Sequence, residues 1–303
     1  MKIKLKIMNL IWEAKSPIHI GCGRSIGNMH LTLDHVPGTA IKGALGRNYL
    51  KLFCINNEFA ICSKGGKCDK CEFPSLFLND FHGSGIYFQT LIPQEFKLEE
   101  QYSVTIDIDT RSNKKGQLFN YQKMVILNKN NSTKIIFTEN LSNEVVEKIT
   151  EALSLDLYVG SRKSWGWGII KMEKIGMDDF ELSDSNEETS DRKYHIELKN
   201  HLPITEKNIG ETITRGLSDL ASGFKITSYQ DFSSIKYTRY EIEPIGVRSD
   251  INDEVIRKWA VIPPVNIELV GSAKNEIIIK LSQIIGLTTN NNPWTKTGYG
   301  LIK

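Results

Sequence analysis

The feature that most limits the fold is a short ending that occurs twice. Residues 162–170 read RKSWGWGII and residues 295–303, the last of the chain, read TKTGYGLIK. Each has a basic residue, a small hydroxyl residue or glycine, an aromatic between glycines, and then an apolar pair suited to a strand. A chain of 303 residues has room for two ordinary domains. A closing loop used twice predicts two halves on one plan.

The segments before each ending support that reading. Residues 2–12 alternate apolar and polar side chains with a period of two, the mark of a strand. A glycine-containing loop follows, then VPGTAIKGALGRNYLKLF over 36–53. There Pro37–Gly38 breaks the chain, Thr39 can cap a helix, and Ile41, Leu45, Tyr49 and Leu52 share one helical face. Gly43 and Gly46 weaken that helix and imply close approach of a backbone or a ligand. Strands are expected at 85–92, 102–108 and 134–138, an amphipathic helix at 143–156, and a glycine-rich turn entering a strand over 159–175. The polar stretch between 109 and 135 reads as a long hairpin. After residue 191 the order restarts, with a strand at 193–199 and a helix at 208–221. Less regular segments follow at 236–243, 259–270 and 276–285. The class is α+β.

Charge is unevenly placed. The chain carries 38 basic and 36 acidic residues, but seven of the acidic ones lie in Asp178–Asp191, which has no Lys or Arg. Without that stretch, 29 acidic residues face 38 basic ones, a balance that suits a nucleic-acid surface or a Lys- and Asn-rich composition alike. The acidic stretch 178–191 reads as a linker. The opening residues lack the apolar core of a secretory signal, and no apolar run reaches a membrane span, so a cytoplasmic protein is expected. Four of the five cysteines, Cys54, Cys62, Cys68 and Cys71, crowd into 18 residues. In a cytosolic chain that pattern predicts a closed, structural zinc site. Cys54 follows Leu52–Phe53 and also fits a core thiol, which would make His82 the substitute ligand.

Two segments have the chemistry of an anion site. In Gly160–Ser161–Arg162–Lys163–Ser164–Trp165–Gly166–Trp167–Gly168, glycines let the backbone and its N–H groups approach a phosphate, and Arg162 and Lys163 add charge. Trp165 and Trp167 suit stacking on unpaired bases, or one of them packs inward and pins the loop. At Gly38–Thr39 a helix start offers free N–H groups, with Lys42 within reach, although an ordinary core helix has the same look.

Three of these segments together, PIHIG (17–21), VPGTAIKGAL (36–45) and GSRKSWGWGII (160–170), resemble the RAMP superfamily of CRISPR-associated proteins. The cysteine cluster and GQLFNYQKM (116–124) are similar to members from type III systems. The second glycine loop is similar to the Csx group of type III-D subunits, which takes the place of the subunit capping the 5′ end of the guide RNA. The resemblance implies two ferredoxin-like (RRM-like) domains in tandem. The first spans 1–177, with the cysteine insertion at 54–72 and a thumb-like hairpin at 109–135; the second spans 192–303. It implies RNA contact by Gly38, Thr39, Lys42 and Arg47, by Arg111, Lys114 and Lys115 of the thumb, by Gly160 to Gly168, and by Lys296. The second loop departs from the family pattern, since Thr295, Lys296 and Thr297 replace a Gly-Arg start.

The resemblance also implies partners: the 5′ tag of the guide RNA, neighbouring RAMP backbone subunits and, indirectly, target RNA. It leaves two enzymatic alternatives. One is a guide-processing endoribonuclease using a histidine, for which His19, His30 and His35 are the candidates. The other is a backbone subunit that cuts target RNA through Asp34. No second catalytic partner is legible beside any of these, so a noncatalytic RNA-binding subunit is expected.

Overall fold

The structure is a computed structural model, and it describes residues 2–54, 72–78, 82–83, 85–106, 113–138, 141–183, 190–248 and 255–290. The first half runs β1 (Lys2–Ala14), a small hairpin of β2 (Gly21–Ile26) and β3 (Met29–Thr32), then α1 (Gly38–Phe53) and β4 (Ile86–Phe88). A long hairpin of β5 (Phe96–Ile106) and β6 (Asn113–Ile126) follows, then β7 (Asn131–Thr138), α2 (Asn143–Leu153), β8 (Leu157–Tyr158) and β9 (Ile169–Ser183). Its main sheet has the order β4-β7-β1-β9-β8, antiparallel throughout. Setting aside β8 and the inserted hairpins, this is a βαββαβ chain with its fourth strand beside its first, the ferredoxin-like arrangement.

The second half repeats the plan with β10 (Asp191–Leu198), β11 (Leu202–Pro203), α3 (Ile209–Gly223), β12 (Ser234–Tyr237), β13 (Glu241–Arg248), β14 (Val255–Ile262), β15 (Val265–Ser272) and α4 (Glu276–Ile285). The sheet order β10-β15-β12 matches β1-β7-β4. A hairpin, β13–β14, again sits between the second and third strands. The final strand expected after residue 294 lies outside the described residues. The mixed α+β architecture agrees with the expected class, and the second half follows the order of the first as far as its residues are described.

β1 shows how one strand serves two cores. Ile3, Leu5 and Ile7 join the cluster formed with α3 and α4, whereas Met8, Leu10 and Trp12, on the opposite face, join α1 and α2. Side chains alternate across a strand, so moving the apolar residues from odd to even positions moves burial from one face to the other. Lys2, Lys4 and Lys6 fall on the face left open. They pair with the start of the acidic stretch, which is strand and not linker: Asp178, Asp179 and Glu181 lie in β9 opposite Ile7, Lys6 and Lys4, and Lys2 Nζ stands 2.6 Å from Glu181. Cross-strand charge complementarity draws these acids into the sheet. The link between halves is confined to residues after Ser183.

Other boundaries also shift. The thumb-like hairpin begins at Phe96, because β5 supplies the strand that pairs with β6, and β7 belongs to the main sheet. Segment 236–243 divides into β12 and the start of β13, and 276–285 is α4. α1 is capped by Pro37 without a side-chain bond, so Thr39 lies inside the helix. Ile41, Leu45 and Tyr49 are buried, but Leu52 is exposed. Gly46 is approached by the rings of Phe73 and Phe77, while the space beside Gly43 is open.

Besides the apolar packing of β1 against α3 and α4, two polar contacts stand out between the halves among the described residues. His82 is buried: its Nε2 lies 2.6 Å from the Thr288 carbonyl and its Nδ1 3.4 Å from the Tyr87 hydroxyl. Both ring nitrogens are thus engaged away from Cys54, which sets His82 aside as the substitute ligand. The second contact is a polar seam. Glu243 of β13 meets Arg24 of β2 at 2.6 Å and His201 Nε2 at 2.5 Å, and the His201 ring lies 4.9 Å from that of His35. Burial pushes the Glu243 carboxyl up, but the hydrogen bond from His201 and the charge of Arg24 hold it below its ordinary value. Buried carboxylates survive only when paired in this way.

Candidate nucleic-acid interface

The loop after β8 is fastened by its own backbone. Gly168 N–H donates to the Pro17 carbonyl at 2.8 Å, Ser161 N–H to His19 at 2.9 Å, and Ile169 N–H to Ser16 Oγ at 3.0 Å. Residues 16–19 are in turn bound to β6, since Ile18 and Met124 exchange backbone hydrogen bonds. Two glycines are required here. Gly160 and Gly168 have φ of +71° and +78°, and a Cβ would run into the carbonyl oxygens of His19 and Val159. The tip is one 3₁₀ turn, Lys163–Trp165, whose Trp165 and Gly166 N–H groups donate to Arg162 and Lys163.

This geometry revises part of the expectation. The N–H groups of Ser161, Trp165, Gly166, Trp167 and Gly168 are donated within the fold. A phosphate would therefore meet side chains at the tip more than a cradle of amides. Lys163, Ser164 and Trp165 are exposed, whereas Trp167 is buried at 8% exposure and pins the loop, with Lys123 Nζ 5.8 Å from its ring centroid. Arg162 is only half-exposed. It adopts a left-handed backbone, φ 62°, and its guanidinium lies 3.9 Å from the Tyr121 centroid and 4.7 Å from that of Trp165. Few non-glycine residues hold that conformation without compensating contacts.

Around Tyr121 the fold collects residues that are far apart in the chain. The exposed His30 stacks on its ring, centroids 5.1 Å apart, and the buried His19 meets it edge-on at 5.6 Å. His19 Nδ1 is 2.6 Å from the Gln122 carbonyl, so that nitrogen carries the proton in the neutral ring. Burial lowers its pKa, against the opposing pull of that hydrogen bond. Sequence reading missed the partnership of His30, Tyr121 and Arg162, because it arises only when β3 pairs with β6. His35 is not part of it. Its Nδ1 bonds the exposed Asp34 at 2.8 Å and its ring belongs to the seam. That hydrogen bond holds Asp34 below its ordinary pKa.

The other expected residues fall elsewhere. Gly38, Thr39 and Lys42 form the first turn of α1, and Arg47 is exposed further along it. Of Lys114 and Lys115, only their backbone in β6 is described. Arg111, Lys296 and three of the expected zinc ligands, Cys62, Cys68 and Cys71, lie outside the described residues. Cys54 is half-buried against the first core. Among the described residues no group of acidic, histidine or cysteine side chains is arranged to hold a metal, and no helix is long and apolar enough to cross a membrane.

A ferredoxin-like first half, with a glycine-rich loop locked against the segment after the first strand, defines the class of protein. A family model described as the RAMP superfamily matches residues 12–171, a little over half of the chain, and the chain belongs to that CRISPR-associated superfamily. Similar solved structures include a chain of a type III-B Cmr-beta complex bound to cognate target RNA and AMPPnP (13% identity, 86% of each chain covered, TM-score 0.47). They also include a Cas6-related protein from Pyrococcus furiosus (10% identity, 100% and 98% covered, TM-score 0.46). A third is a RAMP protein described as binding different RNA substrates (10% identity, 99% and 98% covered, TM-score 0.43). No curated protein matches the chain.

Proposed function

We propose that this chain is a noncatalytic guide-RNA-binding subunit of a type III-like CRISPR effector complex, holding the 5′ repeat-derived tag. The observation that supports it best is the loop of residues 160–168. It is rigid at its base through three hydrogen bonds to residues 16–19, and it projects Lys163, Ser164 and Trp165 into solvent. A preorganised loop with exposed cationic and aromatic groups suits a single strand. The first turn of α1 has neither a side-chain cap nor an acidic residue, which favours a phosphate at its start. Neighbouring RAMP backbone subunits are the protein partners in this reading, and target RNA is met through the guide. Binding to guide RNA with and without the tag tests it: the tagged RNA should bind at least tenfold more tightly, and equal affinity would remove the cap assignment.

One observation favours a second reading, processing of guide precursors, because His19 and His30 both contact Tyr121. Against it, His19 is buried and bound to a backbone carbonyl. Metal-free incubation with repeat RNA should leave it intact. Cleavage abolished by His30→Ala would establish the enzyme instead. Asp34 is engaged with His35 at the seam, which argues against target cutting, and one copy per complex would separate a cap from a backbone subunit. Segment 54–71 is proposed to hold one structural zinc through Cys54, Cys62, Cys68 and Cys71. Elemental analysis of reduced, chelator-free protein should find about one zinc per chain.

A further inference from the structure

Four side chains around the loop form one contact cluster: His30, Tyr121, Arg162 and Trp165. The His30 ring lies nearly parallel to Tyr121, at 20°, with centroids 5.1 Å apart. The guanidinium of Arg162 lies against both Tyr121 and Trp165, at 3.9 and 4.7 Å from the centroids. Trp165 meets Tyr121 edge-on at 6.0 Å and the buried Trp167 edge-on at 5.4 Å. Trp165 is thus held from two sides, yet it stays 43% exposed, and the space beside the neighbouring Gly166 is open. An exposed indole restrained by its neighbours loses little freedom when a flat ligand covers it.

We infer that Trp165, fixed by Arg162, Tyr121 and Trp167, is a platform for one unpaired nucleobase, and that Arg162 is a positioning residue and not a phosphate contact. The inference rests on the guide-RNA reading and names what the loop recognises. Arg162 has its guanidinium within 4.7 Å of two aromatic ring centroids and its backbone fixed in a left-handed turn, so its part is to set the angle of Trp165. Lys163, exposed at the next position, is the phosphate contact in this reading. Every base has a π face, so the platform takes any base and refuses a missing one.

The test uses the full chain and a series of tagged guide RNAs, each lacking the base, but not the phosphate, at one position. One such position should weaken binding to the unaltered protein about tenfold or more. The same RNA should bind Trp165→Leu no more weakly than intact RNA does, with a melting temperature unchanged by the substitution. Arg162→Lys keeps the charge and loses the planar guanidinium. It should bind like Trp165→Leu, with an unaltered salt dependence. If Arg162→Lys binds like the unaltered protein while Arg162→Ala lowers the salt slope by about 0.7, Arg162 is a phosphate contact and the inference fails. It also fails if RNA binds well but no missing base depends on Trp165. No binding of any guide RNA overturns the guide-RNA reading beneath it, and the two failures are thereby distinguished.

Discussion

Helices α1 and α3 hold the same place in the two halves, yet they begin in opposite ways. α1 starts at Gly38 behind Pro37, with no side-chain cap and no acid in its first turn. α3 starts behind Asn208, whose Oδ1 accepts from Glu211 N–H at 2.8 Å, and Glu211 itself sits in the first turn. Glu206 and Asp231 line the cavity beside it. The first helix start lacks a side-chain cap and an acid, and the second has both. Under the proposed function, this difference in side chains at the helix starts is what favours phosphate at the first and disfavours it at the second.

The largest effect expected concerns the loop that accompanies the first start. Gly168→Ala places a Cβ against the Val159 carbonyl at φ +78° and should cost roughly 2–4 kcal/mol of stability, seen as a lowered melting temperature. RNA affinity should be lost with it. Substantial residual binding by a folded Gly168→Ala protein would mean that the loop is not needed for RNA contact, which breaks the comparison. Exchanging charge at the two starts sharpens it. Thr39→Glu should hold or raise stability by about 0.3–1 kcal/mol while weakening guide binding about tenfold. Glu211→Lys should lose a similar amount of stability and leave binding unchanged. Asn208→Ala removes the α3 cap and should cost about 1 kcal/mol, again without effect on RNA.

The smallest effect is a pH dependence. Burial keeps the folded-state pKa of His19 below its value in the unfolded chain, so below about pH 6.5 the unfolded chain binds the extra proton. Stability is therefore full above that value and declines as pH falls toward the lower, folded pKa. Glu243 and Asp34, both held low, act only further into acid: their contribution is present above their unfolded pKa values and is lost as pH falls through the folded ones. Melting curves between pH 7.5 and about 5.5 should show a small decline, and His19→Asn should flatten it.

The first half was legible because its signals are local. The period-two β1, the helix after Pro37–Gly38 and the glycine loop each announce themselves within ten to twenty residues. The duplication was legible from the matching endings, although the last of them lies outside the described residues. What failed was long-range. The acids of 178–183 look like a linker until Lys4 and Lys6 of β1 are placed opposite them. The contact of Arg162 with Tyr121 is likewise invisible until β6 brings that ring beneath it. The seam of Arg24, His35, His201 and Glu243 joins residues more than 150 positions apart, and no spacing rule anticipates it.

The central claim, that the first half carries the RNA contact through its loop and the start of α1, is tested most directly by the salt dependence of guide binding in Lys42→Ala/Lys163→Ala. Two lost phosphate contacts should weaken binding and lower the slope of log K against log salt by roughly 1–1.5, at about 0.7 per contact, with the melting temperature unchanged. The same affinity and the same slope as the unaltered protein would contradict it.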